Sequence, residues 1–435
     1  MTQISEAKNG RLTKQIEKIS EEENLPKEKI RKLVAKGKIV IPHNPIHSPK
    51  PVGIGKDLKV KVNANIGTSR EHCNLDEELE KAKIAIKTKT DALMDLSTGG
   101  NLDKIRKSLI KISNIPFGTV PIYQTGIEAI SKHGSIVDMT EDEMFNVFEK
   151  QAKQGIDFAV VHVGINKESV ERLRKQKRLI PMVSRGGAFH MAWILHHKKE
   201  NPLYKNFEYL LEIAKKYDIT LSLGDGMRSG ALYDSNDRAK IQELLIIGEL
   251  VEKARKHGVQ TMVEGPGHMP LNDIQPNIEI MKKTTNEAPY FVLGPLVTDI
   301  APGYDHFVGG IGGAIAGYAG ADFLCYLTPA EHLSLPGKKD VREGIVATKI
   351  AAHAADIARG KQRKIDYEFS KARENLNWDK MFKLCLDPKK AKQYRDKRKP
   401  LEDISACSMC GKLCAIEIVE KYLEETNKTT INQKK

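Results

Sequence analysis

Aromatic side chains are scarce in this sequence. Phe, Tyr and Trp make up 6% of the 435 residues, with only two tryptophans, which argues against a surface of stacking platforms for single-stranded nucleic acid. Long apolar runs are missing too. The longest weakly charged stretch, 309–327, contains six glycines and Asp322 and sits at the short limit for a membrane span. A Gly-rich helix followed by a buried strand is the better reading. The first 40 residues are charged and lack the apolar segment of a secretion signal, so a cytoplasmic location is the expectation. Cysteine is sparse: Cys73, Cys325 and Cys385 are scattered, and Cys407, Cys410 and Cys414 fall within eight positions. That usage is unlike a secreted disulfide framework. Charge leans one way, with 70 Lys plus Arg against 57 Asp plus Glu, a net +13. An anionic partner, nucleic acid or a phosphorylated substrate, would use such a surplus. The lysines are scattered and form no single basic block, which favours a solvated surface instead.

Enough apolar residues are present, 40%, for a sizeable core. Residues 1–55 read as a small N-terminal helical domain that ends in a Pro-rich connection at 43–51. From residue 56 to 340 a rhythm appears. Short apolar, β-branched runs end in polar or glycine-containing groups, and a helix-like segment follows each. The runs are 60–62, 92–94, 118–122, 158–161, 179–183, 219–223, 260–263, 291–293 and 323–327, nine strand candidates at the spacing of a βα unit. Strands alternating with helices predict a parallel sheet. The polar groups follow nearly every run instead of clustering at one switch point, which favours a (β/α)8 barrel over an open doubly wound sheet. Residues 341–400 read as C-terminal helices, 401–420 as a cysteine-bearing motif, and 421–435 as a Lys/Asn-rich tail expected to be disordered.

Several groups carry chemistry. Ser184-Arg185-Gly186-Gly187 ends a strand candidate and opens a helix. Backbone N–H groups plus a guanidinium there suit a phosphate or carboxylate, although an ordinary βα turn reads the same way. Asp225-Gly226-Met227-Arg228 pairs an acceptor with an anion-binding cation. Glu264-Gly265-Pro266-Gly267-His268 sets a carboxylate and an imidazole four residues apart, and His332 follows the last strand candidate. On neighbouring strand ends of a barrel, His268 and His332 could share a metal. The loop 298–306 is dense in polar and turn residues and is expected to line a site.

The sharpest signal is Cys407-Ser408-Met409-Cys410-Gly411-Lys412-Leu413-Cys414, with no histidine within ten residues. A structural zinc wants four ligands, and ferredoxin clusters also take four cysteines. Three thiolates on a cubane leave one iron open for a cofactor, the arrangement that reduces S-adenosylmethionine. A zinc knuckle completed from elsewhere and a redox Cys-x-x-Cys pair with a bystander third cysteine are the alternatives.

Taken together, the motifs resemble the phosphomethylpyrimidine synthase family. The resemblance rests on Asn63-Ala64-Asn65-Ile66-Gly67, Met94-Asp95-Leu96-Ser97-Thr98-Gly99, Gly118-Thr119-Val120-Pro121-Ile122-Tyr123-Gln124, the groups named above and the cysteine motif, collinear over about residues 43–420. It implies a (β/α)8 barrel with a small N-terminal domain and a C-terminal helical segment bearing a 4Fe–4S cluster. The implied reaction converts 5-aminoimidazole ribotide to 4-amino-5-hydroxymethyl-2-methylpyrimidine phosphate in thiamine biosynthesis. Close relatives convert the same ribotide to 5-hydroxybenzimidazole.

By motif match, substrate contacts would be Asn65, Met94, Tyr123, His162, Ser184, Arg185, Gly186, Asp225, Gly226, Met227, Arg228, Glu264 and Phe291, with Glu264, Asp225 and His162 as the catalytic set. His268 and His332 would hold zinc or iron(II). Cys407, Cys410 and Cys414 would hold the cluster that acts with S-adenosylmethionine. A homodimer and an electron donor such as ferredoxin or flavodoxin are implied, with no nucleic acid and no membrane. The sequence departs from the family in two places. Three residues separate Cys410 and Cys414 where longer members have four, and Phe291 stands where the family has a substrate-contacting Tyr, with Tyr290 beside it.

Overall fold

The computed structural model describes residues 1–400 and 404–432, with side chains to residue 423. Residues 401–403 of the expected cluster motif and 433–435 of the expected tail lie outside the described residues. The chain divides into two compact units, Met1–Arg359 and Gly360–Lys435.

The first unit is built on eight strands: β3 (Lys61–Ile66), β4 (Ala92–Asp95), β5 (Phe117–Thr119), β6 (Phe158–Val161), β7 (Thr220–Leu223), β8 (Thr261–Gly265), β9 (Tyr290–Leu293) and β10 (Phe323–Cys325). They close in the order β10-β3-β4-β5-β6-β7-β8-β9, and every neighbouring pair is parallel. Such strands are covered on both faces, which explains their continuous apolar runs. Phe158-Ala159-Val160-Val161 is buried throughout. Inside the barrel Phe323 stacks on Phe291 at 4.2 Å between ring centres and meets the edge of Phe158 at 6.3 Å, filling the floor beneath the rim. Helices begin at side-chain caps. Asn74, Asn101, Asn166, Ser184 and Asp237 each accept a backbone N–H of the first helical turn, and Thr140 with Glu143 forms a capping box.

The segment 179–183 is not a strand. The N–H groups of Leu179 and Ile180 donate to the Asp234 carboxylate at 3.0 and 3.1 Å, and Pro181 has no N–H to offer a ladder. Leu179, Ile180 and Val183 are exposed. The Arg178 guanidinium beside them clamps Asp237 at 2.6 and 2.7 Å and donates to the Met227 carbonyl at 2.8 Å. The run is therefore a loop fastened to the turn after β7. Ser184 opens its helix, Arg185–His197, directly from that loop.

The N-terminal helices Gln3–Lys8, Lys14–Glu23 and Lys27–Ala35, with the antiparallel ribbon of β1 (Ile39–Val40) and β2 (Ile54–Gly55), enclose a core of their own around Ile16, Ile19, Ile30, Val34 and Leu58. The Pro-rich connection is tied to the barrel. Asn44 donates to the carbonyls of Ala152 and Ile156, and His47 bridges Asp157 and the Ser113 carbonyl. The helix Lys338–Ala358, grouped by sequence with the C-terminal helices, belongs to the first unit and buries Val341, Ile345, Ala351 and Ala355.

In the second unit helices Arg363–Glu374, Trp378–Leu384 and Pro388–Lys397 precede the cysteine loop. Trp378 Nε1 donates to the Ser405 carbonyl at 2.7 Å and lies under the Arg395 guanidinium at 3.6 Å. Helix Ala415–Asn432 runs through most of the segment read as a disordered tail. Among the described residues no helix is long and apolar enough to cross a membrane.

Candidate active site

Parallel strands bring all their C-terminal ends to one rim, and each strand delivers a named side chain there. Asn65 lies in β3, Met94 in β4, Tyr123 just past β5, His162 just past β6, Arg228 past β7, Glu264 in β8, Phe291 in β9 and Cys325 in β10. All eight line one cleft, together with Leu96, Val120, Val160 and Leu293. An apolar wall with a few convergent polar groups is the makeup of a small-molecule site.

Glu264 sits in this wall with its carboxyl pushed up to about 7 by burial, while the Arg228 guanidinium and the Asp225 N–H pull it down. Burial also raises the Tyr123 phenol, and the Arg185 guanidinium lies over that ring at 5.0 Å. His162 is fully buried and held neutral, well below its ordinary value, by desolvation and then by His190 and Arg228. Its ring is sandwiched between glycines. A Cβ on Gly186 would lie 2.4 Å from His162 Nδ1, and one on Gly224 would lie 3.2 Å from Nε2. Gly187 packs as closely on the Gly226 backbone, 2.8 Å from where its own Cβ would be. The 184–187 helix start and the 225–228 turn therefore meet through glycines because nothing larger fits.

Ser184, Gly186, Asp225, Gly226 and Met227 are buried behind the cleft rather than lining it, and Arg185 is exposed at its edge. Asp225 is ion-paired with Lys240. Glu243, one helical turn on, accepts the N–H groups of Gly226 and Met227, each at 2.8 Å. Burial and the neighbouring Asp225 carboxylate raise its carboxyl above the ordinary range. Lys240 and Glu243 were missed in the sequence. Their signal was two charges at core positions of the helix Arg238–His257, on the face that carries Ala239, Leu244, Ile247 and Val251. Cys325, read only as a scattered cysteine, accepts from Asn65 Nδ2 at 3.1 Å and lines the cleft, its thiol pushed up to about 12 by burial. Tyr290 does not replace the hydroxyl missing at Phe291. Strand alternation turns it outward, and its OH donates to Asn277 Oδ1 at 2.9 Å.

The sequence placed His268 and His332 near each other, and the rings lie 5.3 Å apart. Each Nδ1 is held by a carboxylate, His268 by Asp299 at 2.7 Å and His332 by Asp305 at 2.8 Å. Both aspartates come from the loop 298–306. Among the described residues this arrangement leaves each Nε2 available as a donor to a metal, the usual support behind metal-binding histidines. The residue types and their support fit a divalent metal.

The cysteine loop turns tightly. Cys410 and Gly411 donate to the Cys407 carbonyl at 3.2 and 2.9 Å, and Gly411 takes a left-handed φ of +52°. Cys407, Cys410 and Cys414 are free thiols. The N–H groups of Cys410 and Met409 hold the Cys407 thiol below its ordinary value, and Cys407 in turn raises Cys410. Three soft thiolate donors on a loop wound by its own N–H groups fit an iron–sulfur cluster by donor type. Among the described residues no group of three His, Cys, Asp or Glu is arranged around a single metal ion.

Residues 2–421 match the model of the Radical SAM ThiC family. The chain is 56% identical to the phosphomethylpyrimidine synthase of Caldanaerobacter subterraneus subsp. tengcongensis, over 97% of this chain and 98% of that one. It is 55% identical to the enzyme of that name in Methanocaldococcus jannaschii, over 97% and 99%. Against the one in Pyrococcus abyssi it is 54% identical, over 97% and 99%. With nearly its whole length matched, the chain belongs to the Radical SAM ThiC family.

Proposed function

We propose that this chain is a phosphomethylpyrimidine synthase of thiamine biosynthesis, forming 4-amino-5-hydroxymethyl-2-methylpyrimidine phosphate from 5-aminoimidazole ribotide. The observation that carries the reading is the convergence of all eight strand ends on one cleft, in a chain matched end to end by relatives of that name. Those relatives do not favour the 5-hydroxybenzimidazole alternative.

Arg185, over the Tyr123 ring, and Arg228, in the cleft wall, would take the ribotide phosphate. Asn65, Tyr123, His162 and Glu264 supply the polar contacts that fix the imidazole and ribose. Met94, Phe291, Leu96 and Val160 keep water away from the reacting carbon centres. Asp225, backed by Lys240, orients the Gly226-Met227-Arg228 turn from behind. Glu264, with its raised carboxyl, can hold or release a proton near neutral pH. His268 and His332 would hold zinc or iron(II) through Nε2. Cys407, Cys410 and Cys414 would hold the 4Fe–4S cluster. Bound there with S-adenosylmethionine, the cluster would supply the single electron that breaks a C–S bond of that cofactor, with methionine leaving, and so the hydrogen-abstracting chemistry that the ribose requires. A homodimer, a ferredoxin or flavodoxin donor and a cytoplasmic setting complete the reading.

The test is anaerobic turnover of the ribotide with S-adenosylmethionine and a reductant, followed by mass analysis. The pyrimidine phosphate and 5′-deoxyadenosine are expected, and 5-hydroxybenzimidazole would overturn the assignment. Cys410→Ala should abolish both products and the brown colour of anaerobically reconstituted protein. Full turnover by that variant would remove the cluster from this loop.

A further inference from the structure

Behind the cleft lies a second, smaller cavity, and His162 belongs to the walls of both. The inner cavity is otherwise lined mainly by apolar side chains such as Ile122, Met144 and Phe148, with the Thr125 hydroxyl, which donates to the Pro121 carbonyl at 3.3 Å, and one further imidazole, His190 of the helix Arg185–His197. Its room for a water centre is about 10 Å³, close to what a single water molecule needs. Both histidines are almost wholly buried, at 2% and 1% exposure. Neither nitrogen of His190 meets a protein partner among the described residues, and neither does His162 Nδ1. The two rings are 6.3 Å apart between centres, too far for a direct hydrogen bond and right for one bridging molecule.

A buried imidazole with no partner is costly, and native proteins pair such groups with protein or with ordered water. Two of them facing one water-sized space are explained together by one occupant. Burial keeps both rings neutral, His190 down to about 4. Each ring then offers one donor and one acceptor, so one water can pair with one nitrogen of each ring and leaves the second His190 nitrogen without a partner among the described residues.

We propose that an ordered water joins His162 to His190, and that His190 is a positioning residue that fixes the ring His162 presents to the cleft. The inference rests on the reading of that cleft as the ribotide site. His190 touches no cleft surface itself and acts only through the water. The narrow packing of His162 against Gly186 and Gly224 limits the ring's tilt, and the water link anchors the ring nitrogen on the side of the inner cavity.

Two measurements test it. A high-resolution crystal structure of the substrate-free full chain should show ordered density within hydrogen-bond distance of both rings; a dry cavity would overturn the proposal. This readout needs no substrate, so it stands whether or not the ribotide assignment holds. In turnover, His190→Leu fills the space and removes the donor and acceptor. It should raise the ribotide KM about tenfold, the size of one buried hydrogen bond lost, while leaving kcat nearly unchanged. His190→Gln keeps a donor and an acceptor and should restore KM to within about twofold. A KM for the Leu variant equal to the wild-type value, or a Gln variant as impaired as the Leu variant, would overturn the role. If the Leu variant fails to fold, the Gln variant and the density decide.

Discussion

Single side chains at this rim are tuned mainly by burial, and Glu264 shows the consequence. Folded Glu264 keeps its proton up to about pH 7, whereas its ordinary value is 4.5. Between those values the folded chain binds more protons than the unfolded one, so stability falls as pH rises through that window. A shift of that size corresponds to at most about 3 kcal/mol, and less in practice because Glu264 is partly open to the cleft. Glu264→Gln should therefore flatten the decline in unfolding free energy between pH 5 and pH 7.5, measured by urea denaturation of the cluster-free full chain. An unchanged pH slope would mean that the carboxyl titrates as if in water. The sequence showed Glu264 at the end of an apolar run, and so showed its place. It did not show the burial that shifts its proton or the cation that opposes it, because Phe291 of β9 and Arg228 of the turn after β7 come from elsewhere in the chain. His190 was invisible for the same reason: one histidine in a helix says nothing until the residues it faces are known.

At the scale of elements, the sequence read the repeating unit well and its exceptions poorly. Eight of nine apolar runs became barrel strands, because a β-branched run flanked by turn residues has few other uses. The run at 179–183 failed because Asp234, some fifty residues downstream, takes its N–H groups, and no local pattern reports that. The helix Arg238–His257 is the reverse case. Its charges at 240 and 243 look like errors in an apolar face until the turn 225–228 is laid across it. Glu243 holds two N–H groups of that turn, and Glu243→Gln would set an amide N–H against one of them. We expect a loss of about 1–3 kcal/mol in unfolding free energy, with a raised ribotide KM as Arg228 loosens. A KM that stays at the wild-type value while stability drops would confine Glu243 to folding and separate the helix from the site.

For the whole molecule the two units differ in how they are held. Met1–Arg359 encloses a closed barrel and the N-terminal core, with no free sheet edge in the barrel to frustrate folding. Beyond residue 359 the fully buried side chains among the described residues are few, Ala372, Met381, Ala406 and Cys414. Their order rests on local ties such as Arg395 over Trp378 and on the turn of the cysteine loop. Small segments with so little apolar burial gain much of their stability from a bound metal group. A chain ending at Arg359 should accordingly keep a cooperative thermal transition close to that of the full protein and still bind the ribotide in calorimetry, yet form no product. In the full chain, cluster removal by a chelator should raise amide hydrogen exchange across 404–423 and leave strands β3 to β10 protected. If the truncated chain lost its transition, the barrel would depend on the second unit for folding. The cysteine loop would then be part of the scaffold as well as the proposed carrier of the cluster.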